Sequence, residues 1–206
     1  MATQVLSDVE LERLRGSPGI AGEELVRWFT LTSAVEALIR SCRGSGNRLG
    51  VAVQLCTLPW MDFVPANVAA APMVAAERLA GQLRIPVTAL GSYATREQTR
   101  TGHLGEVAKV LGWRQAGELE FKELDQFLSA RALEHDLPTL LIRLGCEYLR
   151  SARVIRPGPD WLSRRVATAR EAARVETYQR VELYSEWIGN DRRLRALIDE
   201  LRRVAE

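Results

Sequence analysis

The chain has 206 residues, 47% of them hydrophobic, a composition that excludes disorder over most of its length and fits one large domain or two small ones. A formal net charge of +2 excludes a uniformly basic polyanion binder, so any basic surface has to arise by local clustering. Three dispersed cysteines, Cys42, Cys56 and Cys146, in no C-x-x-C pair, argue against a disulfide framework and against a zinc site.

The residues near the start, MATQVLSDVE, carry no basic start followed by an apolar run, so no signal peptide is read there. No stretch is apolar for long enough to span a bilayer, and a cytoplasmic location is expected. The cations are almost all arginine: 28 less Lys109 and Lys122 leaves 26. Arginine forks onto phosphates and guanine edges, although Arg/Ala enrichment also follows from a GC-rich genome.

In chain order the periodicity is helical throughout. Leu31, Val35, Leu38, Ile39 and Cys42 form one stripe, with Thr32 as a candidate cap and Glu36 in the first turns. The helix is expected to stop in Arg43-Gly44-Ser45-Gly46. A second begins at about Asn47, with Leu49, Ala52, Val53 and Cys56 on one face. Two short helices around a Gly-containing turn suit a helix-turn-helix-like pair. Pro65 and Pro72 bracket a linker. A helix follows from about Pro72 to Leu83 and breaks at Ile85-Pro86. Thr95 is placed to cap a helix ending at Leu111, whose stripe is Leu104, Val107, Ala108 and Leu111. Phe121, Leu124, Leu128 and Ala132 mark the next helix, and Pro138 opens another with Leu140, Leu141, Leu144 and Tyr148 in register. The breakers from Arg156 to Asp160 form the clearest linker. A long helix follows on Leu162, Val166, Ala169 and Ala173, then a last one on Leu194, Leu197, Ile198, Leu201 and Val204. The expectation is an all-α fold: multi-helix bundle subdomains with helix-turn-helix-like pairs. The expected ranges are 1–64, 65–157 and a C-terminal segment 158–206.

Asn47 and Arg48 open the second helix of the first pair, where a recognition helix reads base edges: Asn pairs with adenine and Arg with guanine. Asn47 also suits a plain capping role. Arg96, Thr99, Arg100 and His103 fall at i, i+3, i+4 and i+7, a stripe overlapping the apolar face of their helix. Polar groups there need partners, either carboxylates and carbonyls within the fold or phosphates and bases outside it. A second basic run comprises Arg143, Arg150, Arg153 and Arg156, continuing through Arg164, Arg165, Arg170 and Arg174. It either follows a phosphate backbone or forms a solvated face. Trp161 reads as a core anchor rather than a stacking platform. No G-x-S-x-G, P-loop, H-E-x-x-H or Rossmann glycine pattern occurs, and no catalytic residue, metal ligand or cofactor is assigned.

The segment Tyr93–Val107, YATREQTRTGHLGEV, preceded by NRLGVAVQLC at Asn47–Cys56, resembles the N-terminal domain of large replicative transposases of the Tn-three class. In that class a start like LTSAVEALIRSCRGSGNRLGVAVQLC leads into such a Tyr-Arg-Thr-Arg-His helix, then an arginine-rich helix pair, a Pro-Gly linker and a further helix. The likeness covers roughly residues 5 to 180. It departs at LCTLPWMDFVP, which lacks an arginine near Pro59. The resemblance implies a bacterial, helical module that recognises the terminal inverted repeats of a transposon in double-stranded DNA. The metal-dependent acidic catalytic domain would lie far downstream, outside this chain. The DNA-contacting set implied is Asn47, Arg48, Tyr93, Arg96, Thr99, Arg100, His103, Arg150, Arg153, Arg164 and Arg165. A homodimer of the full-length protein stays open. The alternative function is a helical protein-interaction domain that pairs through the last leucine stripe without binding DNA.

Overall fold

The computed structural model describes residues 20, 22–65, 67–93, 97–190 and 196. Among them the regular structure is helical: α1 Gly22–Trp28, α2 Ser33–Ser41, α3 Ser45–Met61, α4 Met73–Leu83, α5 Glu97–Leu111, α6 Glu118–Glu134, α7 Pro138–Ser151 and α8 Pro159–Asn190. Two 3-10 turns, Val68–Ala70 and Val87–Ser92, complete the path. The all-α expectation holds. The expected Thr95 cap and the whole of the last leucine stripe lie outside the described residues. No described helix is long and apolar enough to cross a membrane.

Helix α3 is the axle of the first core. Leu49, Val51, Ala52, Val53, Leu55, Cys56, Leu58 and Trp60 are all buried, so every side of the helix is covered. The polar Gln54 and Thr57 are buried on it as well, and α2, α4, α5 and the second 3-10 turn enclose it. Phe29 is edge-on to Trp60 at 5.4 Å, and the Trp60 indole donates to Glu24 at 2.9 Å, tying α1 to α3. The stretch between Pro65 and Pro72, expected as linker, holds the first 3-10 turn, capped by the Asn67 side chain accepting from Ala69 N at 3.0 Å.

A second core gathers Leu124, Leu128, Leu141, Ile142, Leu149, Val154, Leu162, Val166 and Ala169 from α6, α7 and the first turns of α8. Residues on both sides of 64/65 contribute to the first core, and residues on both sides of 157/158 to the second.

A polar node at the end of α3 joins the two cores. Asp62 adopts the left-handed conformation (φ 65°) and its amide closes the helix on Leu58 O at 2.9 Å. The Arg150 Nε lies 2.8 Å from Asp62 Oδ1, and the same guanidinium donates to the carbonyls of Pro59 and Trp60. Those carbonyls are among the last four of the helix, which have no intrahelical donor. Arg156 is buried with its guanidinium 4.2 Å from the Phe63 ring, and its amide donates to Asp62 O at 2.8 Å. Beside it, Arg114 and Val154 form a bridge through Arg114 N to Arg153 O and Ile155 N to Arg114 O, both 2.8 Å.

Candidate nucleic-acid interface

The helix-turn-helix-like pair is α2 and α3, joined through Cys42, Arg43 and Gly44. Gly44 sits at φ 83°, a conformation open to glycine and costly for L side chains, so it permits the tight reversal. Thr32 occupies the cap position of α2 with extended backbone, but its hydroxyl makes no capping bond. Gly44, not Asn47, caps α3, and the helix begins at Ser45, two residues ahead of the expected start. Asn47 lies in the first turn, half-buried, its amide donating to Arg43 O at 3.0 Å. Arg48 is exposed and its Nε donates to Cys42 O at 3.1 Å.

The exposed residues of α3, Ser45 and Arg48, lie in its first turn. Gly46 and Gly50 are buried against the segment ahead of α5. A Cβ at Gly46 would lie 2.3 Å from Ser92 Oγ and 2.8 Å from Ala89 O, and one at Gly50 would lie 2.1 Å from the Tyr93 ring. The helix therefore offers a ligand its N-terminal end, not its length.

A cleft of about 440 Å³ opens beside that end, lined by Leu31, Ile39, Arg40, Arg48, Gln82 and Ile85 among others. Arg40 pairs with Glu36, one turn away on α2. Arg84 stands between the lining residues Leu83 and Ile85, in the left-handed position that ends α4. Arg43 and Arg84 are exposed, and neither side chain has a hydrogen-bond or ion-pair partner among the described residues. Arg40, Arg43 and Arg84 are functional candidates that the sequence reading did not single out, although Arg40 and Arg43 lie close to Arg48. Arg43, in the turn between paired helices, carries the one positional signal.

The Tyr93 and His103 rings stack at 5.8 Å with 17° between planes, and the Tyr93 hydroxyl is 3.2 Å from His103 Nδ1. Burial pushes the Tyr93 phenol up to about 12 and holds His103 below the ordinary imidazole range. The phenol thus keeps its proton and shares a hydrogen bond with the neutral ring. Thr99 and Arg100 are half-buried in line with His103, and Arg100 is close enough for its charge to act on Tyr93. The stripe geometry read from the sequence is present over these three residues; Arg96 lies outside the described ones.

Acidification gives a direct check. The unfolded chain takes up a proton at His103 near 6.5, the folded chain only at lower pH. The stabilisation from the neutral ring is therefore complete above that value and is lost as pH falls towards the folded value. The urea midpoint should fall between pH 7.5 and 5, and His103→Gln should flatten the fall; parallel curves for both proteins would rule out His103 as the cause.

The second basic run is largely engaged within the fold. Arg150 holds Asp62 and the end of α3. Arg153, at φ 53°, donates to Leu111 O at 3.0 Å, joining α5 to the bridge segment. Arg165 pairs with Asp125 at 2.6 Å and lies over the Trp161 ring at 4.6 Å, and Trp161 packs on Phe121. Arg170 and Arg174 converge on Asp136, pulling its carboxyl below the ordinary range chiefly through the Arg170 hydrogen bond. Arg143 reaches towards Glu147, and Arg164 is exposed with its Nε donating to Asp160 O. Among the described residues, no group of three or more His, Cys, Asp or Glu side chains is placed to hold a metal ion.

Fold and surface together define an all-helical, arginine-rich module whose outward cations cluster at one end of a helix pair. The chain belongs to the family described as a domain of unknown function, DUF4158, which matches residues 5–169. It is similar to the transposase for transposon Tn3926 of Escherichia coli, 33% identical over 175 residues, covering 84% of this chain and 18% of that protein. It is also similar to the transposase for transposon Tn501 of Pseudomonas aeruginosa, 29% identical over 175 residues, 85% of this chain and 18% of that protein. The transposase for transposon Tn1546 of Enterococcus faecium is 25% identical over 154 residues, 75% of this chain and 16% of that protein. The chain thus spans under a fifth of the length of these relatives, and the resemblance to Tn-three-class transposases read from its residues holds at the level of the family.

Proposed function

We propose that this chain is the part of a transposase that recognises the terminal inverted repeats of its transposon in double-stranded DNA, and that strand cleavage needs the remainder of the longer protein. The observation that carries the reading is the surface-facing first turn of α3. Asn47 and Arg48 stand there with the outward cations Arg40, Arg43 and Arg84 around them. Side chains that read base edges need a helix end free to enter a groove, and flanking arginines supply the phosphate contacts that fix its register. Arg164 extends the basic surface, whereas Arg150, Arg153 and Arg165 serve by holding the helices in place. Tyr93, Thr99, Arg100 and His103 support α3 from behind through the Gly50 contact, with Arg96 adjoining them in sequence.

The test is a mobility shift on a labelled terminal repeat against scrambled DNA of equal length, across a salt series with magnesium present. Preferential binding is expected, weakening about a thousandfold or more between about 50 and 200 mM salt if six phosphates are neutralised. Arg43→Ala and Arg84→Ala should weaken both probes and reduce the salt slope, while Arg48→Ala should narrow the gap between them. Equal affinity for both probes would overturn the recognition claim, and nicked product would overturn the claim that cleavage needs the remainder.

A further inference from the structure

The cleft beside the first turn of α3 combines cations with aliphatic surface. Leu31, Leu83 and Ile85 line it half-buried, and the buried Ile39 joins them. Arg40 and Arg48 line it too, Arg84 adjoins two lining residues in the chain, and Arg43 lies in the turn between α2 and α3. Its other polar lining groups are already engaged. Glu36, the one carboxylate among the described lining residues, pairs with Arg40. The Gln82 amide accepts from Leu31 N at 2.9 Å and donates to Phe29 O at 2.9 Å. A group entering the cleft therefore meets aliphatic side chains, with Arg48 beside them.

Those side chains stand on fixed backbone. Gln82 pins Leu31, and Arg78 Nε donates to Phe29 O at 3.0 Å, which ties the connection between α1 and α2 to α4. On the other wall, the Ile85 amide donates to Ala80 O at 2.9 Å and closes α4 over the left-handed Arg84. Pro86 follows and confines Ile85 to extended backbone. Contacts made by side chains held in this way lose little to ordering on binding.

The arginines suit phosphate, but the aliphatic surface does not, because a phosphate set over it would shed water and gain no partner. Base edges in the major groove are hydrogen-bond donors and acceptors, with one apolar exception, the C5-methyl of thymine. Charge complementarity selects the polyanion, and the aliphatic walls select that methyl. We infer that the cleft receives the methyl group of a thymine in the terminal repeat, packed on Leu31 and Ile85 beside Arg48. The inference rests on the DNA reading above and assigns it one base. This part of the sequence preference is apolar, so it keeps its size as salt weakens the phosphate contacts.

The experiment is a mobility-shift scan with the full chain, in which single thymines of the labelled terminal repeat are replaced by deoxyuridine. The replacement deletes the methyl and keeps every hydrogen-bonding group of the base. At one position or more the wild-type chain should lose about fourfold in affinity, the worth of one buried methyl-sized group. The loss should be the same at about 50 and about 150 mM salt, although overall binding differs between them. Ile85→Ala should bind the thymine probe more weakly and no longer distinguish thymine from uracil at that position. Leu31→Ala repeats the test on the other wall, and the melting of each variant shows that it is folded. A scan without loss at any position, with preference for the terminal repeat over scrambled DNA intact, would overturn the inference and leave the DNA reading standing. A loss of equal size in the wild type and both variants would also overturn it, because the methyl then acts away from the cleft or through duplex stiffness. Equal binding of terminal repeat and scrambled DNA would overturn the DNA reading and the inference with it.

Discussion

Asp62→Ala is expected to lower the stability of the chain by about 1–3 kcal/mol, the cost of removing a largely buried hydrogen-bonding carboxylate whose Arg150 partner is half exposed. Asp62 is 9% exposed and Arg156 7%. Burial disfavours the charge on each: it raises the Asp62 carboxyl against the opposing pull of Arg150 and Arg156, and it lowers Arg156. Removing the carboxylate also takes away an anion whose charge acts on the buried Arg156. Arg150 also loses the partner that aims it at the Pro59 and Trp60 carbonyls. Asp62→Asn should cost less. Asparagine tolerates the left-handed backbone and still accepts from Arg150, so the difference between the two variants isolates the backbone and hydrogen-bond part. Urea denaturation measures both. A loss below about 1 kcal/mol for Asp62→Ala, the scale of a surface pair, would show that the node is screened by solvent.

Gly50→Ala is the second large effect. In an open helix this change stabilises by roughly 0.5–1 kcal/mol. Here the added Cβ would stand 2.1 Å from the Tyr93 ring, a distance no carbon pair sustains. Tyr93 has little room to withdraw, because its other contacts are the stack and the hydrogen bond with His103. Overpacking of this kind costs about 1–3 kcal/mol, so the sign of the helix-propensity effect is reversed. The double variant settles the cause: in a Tyr93→Ala background, Gly50→Ala should become neutral or stabilising. A cost that persists without the ring would place the clash elsewhere. By the proposed function, the single variant also shifts the first turn of α3 and weakens specific DNA binding more than non-specific binding.

Much of the fold was legible because helical burial is a local pattern. Leu31, Val35, Leu38 and Ile39 declare a stripe at 3.6-residue spacing, and Leu124 with Leu128, Leu141 and Val166 do the same in the second core. Breakers located the ends less well. Asn47 invited a start two residues late, because a left-handed Gly44 reads the same in sequence whether it lies inside a loop or at its last position. Pro59 sits inside α3 near its C-terminal end.

For the candidate site, residue type and spacing determined which arginines exist and which share a helix face. They placed Thr99, Arg100 and His103 beside the apolar face, where the fold keeps them half-buried. The sequence could not assign partners. Arg150 and Asp62 are 88 positions apart, and Arg165 and Asp125 are 40, so no local pattern connects them. Only tertiary packing decides whether a guanidinium meets a carboxylate of its own chain or faces solvent, because that depends on which helix ends are brought within about 3 Å of each other. On that ground most of the arginines after Cys146 meet carboxylates or carbonyls of their own chain, while Arg43 and Arg84 stay exposed beside the cleft that Arg40 and Arg48 line.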